Sequence, residues 1–127
     1  MLWWILASGC TGEPTAEPEP PPEITEGRAS WYGKKFAGRP TTSGEIFDPK
    51  KLTAAHLELP FGTRVKVTSE RGTSVVVTIN DRGPHADDRI IDLSRAAAQR
   101  IGLVEQGVGD VTIEVVDCPA GETCSLP

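Results

Sequence analysis

From Arg28 onward, apolar positions arrive in short bursts separated by turn residues. Arg64-Val65-Lys66-Val67-Thr68 alternates polar with apolar at every step, the period of a strand with one buried face. Val111-Thr112-Ile113-Glu114-Val115 repeats that pattern. Between them, Thr73 to Ile79 is almost entirely β-branched, and Glu70-Arg71-Gly72 ahead of it reads as a hairpin turn. One helix stands out: Ser94 as N-cap, Arg95 to Ile101 as body, and Gly102 as stop. No βα unit repeats. Short strands with one or two short helices predict a mainly β domain closed into a small barrel.

The first 27 residues read differently. Residues 11–27 hold five of the eleven prolines and five glutamates, too polar to bury a core and biased by proline toward an extended chain. This segment is expected to be a tether, reaching roughly 50 Å at about 3.1 Å per residue. Ahead of it, Leu2-Trp3-Trp4-Ile5-Leu6-Ala7-Ser8-Gly9 is an apolar run closed by Cys10. It looks like the end of a lipoprotein signal, with Cys10 as the lipidated residue of the mature protein. The run carries no basic residue ahead of it, so the true start is expected upstream. It is too short for a transmembrane helix. The expected division is 1–10 signal remnant, 11–27 tether, 28–117 barrel and 118–127 tail.

At 127 residues there is room for one domain with a modest core. The net charge of −5 hides an uneven distribution. Residues 28–117 hold all thirteen Lys and Arg and twelve of the eighteen acids, and so carry +1. A near-neutral domain without a basic stripe excludes nucleic acid as the expected partner. Cys118 and Cys124 flank the polar loop Pro119-Ala120-Gly121-Glu122-Thr123, and read either as a local disulfide in an oxidising compartment or as free thiols in a loose tail. A zinc pair is disfavoured because no second ligand pair lies nearby.

Chemistry-bearing residues sit in the turns. Asn80-Asp81-Arg82-Gly83-Pro84 ends the β-branched run and sets a carboxylate at the rim of a rigid strand. Upstream lie Ala29-Ser30-Trp31-Tyr32-Gly33, Thr41-Thr42-Ser43-Gly44-Glu45, Leu52-Thr53-Ala54-Ala55-His56 and Leu59-Pro60-Phe61-Gly62-Thr63; downstream lies Arg89-Ile90-Ile91-Asp92-Leu93-Ser94. In this order and spacing, over about residues 28–117, the set resembles the catalytic domain of the rare lipoprotein A family of bacterial lytic transglycosylases.

The resemblance implies a six-stranded double-psi β-barrel, a choice that periodicity alone does not make over an oligonucleotide-binding-type barrel. It implies cleavage of the β-1,4 bond between N-acetylmuramic acid and N-acetylglucosamine, leaving a 1,6-anhydro end because the sugar's own 6-hydroxyl closes the ring. It ties catalysis to Glu45, His56 and Asp81. A glycosidic oxygen is a poor leaving group, so a carboxylic acid must protonate it, and such an acid needs burial or a negative neighbour to stay protonated near neutrality. Asp81 is assigned that acid-then-base role. Glu45 would stabilise the oxocarbenium charge or repel Asp81, and His56 either orients these groups or is structural.

Other residues carry two readings each. Trp31 and Tyr32 either stack on a sugar or pack in the core. Arg82 either holds a substrate carboxylate or pairs with Asp92. His85, Asp87 and Asp88 look like a metal cluster but have no fixed coordination geometry, so no metal and no cofactor is expected. Family members with a C-terminal SPOR domain use it for septal glycan; the chain ends ten residues after Asp117, so that route is not expected here. Expected partners are peptidoglycan strands and, through Cys10, a membrane; Thr11 lacks the inner-membrane-retaining Asp, which favours the outer membrane of a Gram-negative cell. A monomer is expected. A different reading is a non-catalytic wall-binding or expansin-like loosening module, which needs an aromatic platform in place of a poised acid.

Overall fold

The computed structural model describes residues 24–33, 36–85 and 88–126. Six strands form a closed barrel in the order β1-β5-β2-β4-β3-β6. They are β1 (Ile24–Trp31), β2 (Thr53–Ala55), β3 (Arg64–Ser69), β4 (Ser74–Asp81), β5 (Arg89–Leu93) and β6 (Val108–Asp117), with α1 (Arg95–Arg100) between the last two. Two neighbouring pairs, β1/β5 and β2/β4, run parallel, and the others are antiparallel. The mainly β barrel with one short helix matches the sequence expectation.

Alternation builds the core. Val65 and Val67 of β3 point inward while Arg64 and Lys66 stay exposed. Val75, Val77 and Ile79 of β4 and Ile113 of β6 fill the same interior, with Ile91 and Leu93 from β5. Burying each such side chain fully is worth about 1.5–3 kcal/mol. The β3–β4 hairpin turns at Gly72, whose φ of +87° suits glycine. Ser94 caps α1 through a 3.3 Å bond accepted from the Ala97 N–H and donates its own hydroxyl to Lys51 O at 2.6 Å. Ala97 and Ala98 bury the helix against the barrel.

One boundary needs correction. The sequence reading left residues 24–27 in the tether, but β1 begins at Ile24 and pairs with β6 from Ile24↔Glu114 onward. Gly27 is part of the fit: a Cβ there would lie 2.7 Å from Ile90 Cγ2, so a larger residue would force the Ile90 side chain to move. Cys10 and tether residues 11–23 lie outside the described residues. At the other end Cys118 is bonded to Cys124, and Cys124 and Leu126 pack against the core, so the tail lies on the barrel.

Candidate active site

The site grows out of the short strand β2. Ala54 pairs with Ile79 of β4 on one side and Leu93 of β5 on the other, and all three sit in the core. Successive residues of a strand face opposite ways, so Ala55 faces outward. Its partners are Asp81 and Asp92. On β5 plain alternation is enough: Leu93 points in and Asp92 out. On β4 it is not, because Ile79 and Asp81 are two residues apart and would share a face. A register shift between Ala54 and Ala55 absorbs Asn80 as an extra residue and turns Asp81 to the outer face. A second shift, on the β1–β5 pairing, absorbs Ile90 and brings Ser30 opposite Asp92. With strands about 4.8 Å apart, the two aspartate backbones stand about 10 Å apart across one small alanine.

This row floors a cavity of about 230 Å³. Tyr32, Phe36 and Phe47 wall it, and Arg39 and Arg82 border it. The aromatic wall is braced internally. Tyr32 lies 4.5 Å from Phe47 and edge-on to Phe36 at 5.8 Å between ring centroids. Tyr32 is positioned from the backbone, where its N–H donates to Leu93 O at 3.0 Å.

The two aspartates live in different surroundings. Three donors converge on Asp81 Oδ1: the Thr42 N–H at 2.9 Å, the Thr42 hydroxyl at 2.8 Å and the Arg82 N–H at 2.9 Å. The Asp92 carboxyl receives one hydrogen bond among the described residues, from the Ser30 hydroxyl to Oδ1 at 3.0 Å. Burial pushes the Asp92 carboxyl up to about 6, with the Asp81 charge adding to the rise and Ser30 and Arg89 opposing it. Burial, together with the charges of Asp81 and Asp92, also raises the Tyr32 phenol. The Tyr32 and Thr53 hydroxyls are buried side by side, and neither makes a bond of ordinary geometry among the described residues.

The other residues singled out from the sequence are distributed more widely. Glu45 is exposed and its carboxylate accepts a long 3.5 Å bond from Asn80 Nδ2; it does not line the cavity. His56 is buried, but its Nδ1 accepts the backbone N–H groups of Glu58 and Leu59, each at 3.1 Å. That bonding puts the ring proton on Nε2, and burial lowers its pKa, so the imidazole is a neutral brace for the turn after β2. His56 does not line the cavity either. Arg82 does not pair with Asp92. Its Nη1 donates to His56 O at 3.1 Å and Leu59 O at 2.7 Å, and its guanidinium stacks 4.1 Å over Phe61. Trp31 packs against the core. His85 is exposed, Asp87 lies outside the described residues, and no group able to hold a metal is present among the described residues.

Sequence reasoning placed Asp92 only as a partner for Arg82 and passed over Thr42. The signal for Asp92 was a charged residue inside Ile90-Ile91-Asp92-Leu93, an apolar run where a carboxylate needs a reason. Thr42 gave no comparable signal.

A larger groove, about 480 Å³, lies across the barrel between β1, β6 and β3 and includes Glu26, Glu70 and Asp110. Its carboxylates are solvated. A hydrogen bond with Asp110 raises the fully exposed Glu70, and Asp110 also meets Arg28 at 3.6 Å. Solvated charges of this kind are weak catalysts, so the smaller cavity is the better candidate.

Solved structures with this architecture include the Streptomyces papain inhibitor (TM-score 0.62, 23% identity, 76% of this chain and 98% of that one). A Clavibacter michiganensis expansin also matches, at TM-score 0.60 and 24% identity over 80% of this chain and 54% of that one. The fold is a double-psi β-barrel. Within that class, the family model described as lytic transglycolase matches residues 24–113, and the chain belongs to that family. Its relatives include the endolytic peptidoglycan transglycosylase RlpA of Vibrio cholerae, 56% identical over 98 residues, covering 76% of this chain and 37% of the relative. The probable endolytic peptidoglycan transglycosylase RlpA of Synechocystis is 58% identical over 94 residues, 73% of this chain and 29% of the relative. The chain thus spans about a third of the length of these curated relatives.

Proposed function

We propose that this domain is a lytic transglycosylase acting on peptidoglycan glycan strands, cleaving the MurNAc-β-1,4-GlcNAc bond to leave a 1,6-anhydro end. One observation carries the reading: Asp81 and Asp92 face one small cavity, one ringed by donors and the other desolvated. Cleavage by ring closure needs a proton for the leaving oxygen and negative charge near the forming oxocarbenium ion. A pair of carboxyls in unlike environments supplies both. Asp81 takes part in this site. Glu45 reaches Asn80 next to Asp81, His56 and Arg82 hold the loop beside the site, and Tyr32 presents its ring to the cavity. Family membership and relatives named as peptidoglycan transglycosylases support the same reaction.

The wall-binding reading needs a flat exposed aromatic platform. Among the described residues the large exposed apolar side chains are Ile24, Ile46, Leu57 and Val116, none of them aromatic. That favours the enzyme. The envelope is the compartment such a substrate requires, and the Cys118–Cys124 disulfide suits it. A lipid on Cys10, with residence at the outer membrane and action as a monomer, belongs to the same proposal.

Incubating the protein with purified sacculi and analysing soluble products by mass spectrometry tests it. Muropeptides ending in 1,6-anhydromuramic acid are expected. Binding to sacculi without release of product would overturn the enzymatic reading.

A further inference from the structure

We propose that Asp92, not Asp81, is the proton donor of this site, and that Asp81 is the fixed negative charge beside it. The inference rests on the transglycosylase reading above and names the roles within it.

The geometry separates the two residues. Asp81 Oδ1 is already occupied by the Thr42 N–H, the Thr42 hydroxyl and the Arg82 N–H. These are all donors, so that oxygen serves as an acceptor and is held in place by the Thr42 loop and its own strand end. Asp92 stands across Ala55 on the same outward face, inside the cavity and next to the Tyr32 wall. Its carboxyl is bonded by Ser30 at Oδ1, which leaves Oδ2 without a hydrogen-bond partner among the described residues. The charged and titratable groups facing it are Asp81 from β4, Arg89 from its own strand and Tyr32 at the end of β1. Arg39 and Arg82 border the cavity farther out. Burial and Asp81 outweigh Arg89 and Ser30, so Asp92 holds its proton to about pH 6.

The step then balances without water. The Asp92 carboxyl proton passes to the glycosidic oxygen, and the bond from that oxygen to C1 of the muramoyl sugar breaks. The N-acetylglucosamine side leaves with a free 4-hydroxyl. The Asp92 carboxylate then takes the proton of the muramoyl 6-hydroxyl as that oxygen bonds to C1, which forms the anhydro ring and restores the acid. Asp81 stays charged throughout and faces the transient positive charge.

Product release from sacculi by wild type, Asp92→Asn, Asp81→Asn and Ser30→Ala, each followed against pH with melting temperature as a folding control, tests this. Asp92→Asn is expected to lose about 10³–10⁴-fold. Asp81→Asn is expected to lose about 10–10²-fold, the scale of removing one electrostatic partner. The wild-type rate should fall above about pH 6. Ser30→Ala removes a bond that favours the charged form of Asp92, so its alkaline limb should move to higher pH. Asp81→Asn should move that limb lower. Near wild-type release by a folded Asp92→Asn protein would overturn the assignment, as would an alkaline limb that Ser30→Ala leaves in place. The limb test stands even if Asp92→Asn does not fold. Absence of anhydro product from the wild type would instead refute the reaction itself, with the Asp92 carboxyl still open to direct titration.

Discussion

Two acidic regions lie on opposite sides of the barrel, and only one is built for chemistry. Across β1, β6 and β3, Glu26, Glu70 and Asp110 border the larger groove, where water and Arg28 screen them. Across β4, β2 and β5, Asp81 and Asp92 share half that volume, beside a wall of aromatic rings. The number of carboxylates and the size of the groove favour the first region; desolvation favours the second. An acid is made by what surrounds it, and here the surroundings come from two strand irregularities that turn apolar barrel positions into a polar pocket.

That contrast can be broken in several ways. After Asp92→Asn, the largest effect is expected from Ala55→Leu. The added side chain would stand between the two aspartates and displace the sugar, and misplacement on the scale of an ångström costs about 10²-fold. Sacculus digestion measures this, with unchanged strand content by circular dichroism as control. A nearly wild-type rate would mean the substrate does not pass over Ala55.

His56→Ala sharpens the comparison from the stability side. It removes the acceptor of the Glu58 and Leu59 N–H groups, both bonded to Nδ1, and strands the buried Leu59 N–H at a cost of about 1–3 kcal/mol. Urea denaturation should show that loss, while kcat per folded molecule changes little. A large fall in kcat with stability intact would restore His56 to the chemistry.

Asp92→Asn should also stabilise the fold in one pH range only. The native state raises this carboxyl to about 6, whereas an unfolded Asp titrates near ~3.9. The folded protein therefore holds the proton more tightly than the unfolded chain. Wild-type stability is eroded as pH rises through that window, and the full cost is present above about pH 6. The variant has no such group, so its melting temperature should exceed the wild type's at pH 8 and match it more closely at pH 4. The reverse order would contradict a desolvated Asp92.

Glu70→Gln with Asp110→Asn makes the smallest change. Activity and melting temperature should both hold, because these side chains are solvated. A marked loss of activity would move the site across the barrel.

Much of the barrel was legible because alternation is a direct consequence of one-sided burial. Arg64 to Thr68 and Val111 to Val115 showed it plainly, and Ser94 and Gly102 marked the helix ends. Ile24 to Gly27 was not legible: its exposed Ile24 and Glu26 continue the tether's composition, and only pairing with β6 makes it a strand. Asp81 was legible as a carboxylate ending a strand. Its true neighbours were not, since register decides them and the shift at Asn80 leaves no mark in hydrophobicity. The motif carrying Thr41 to Glu45 pointed to the right segment, yet Thr42 makes the contact with Asp81 while the Glu45 carboxylate reaches Asn80.

The most direct measurement is a carboxyl-detected NMR titration of the free protein, following Asp92 from pH 3 to 8. A midpoint near 6 is expected, falling in Asp81→Asn and rising in Ser30→Ala. A midpoint near the ordinary aspartate value of about 3.9, unmoved by either substitution, would contradict it.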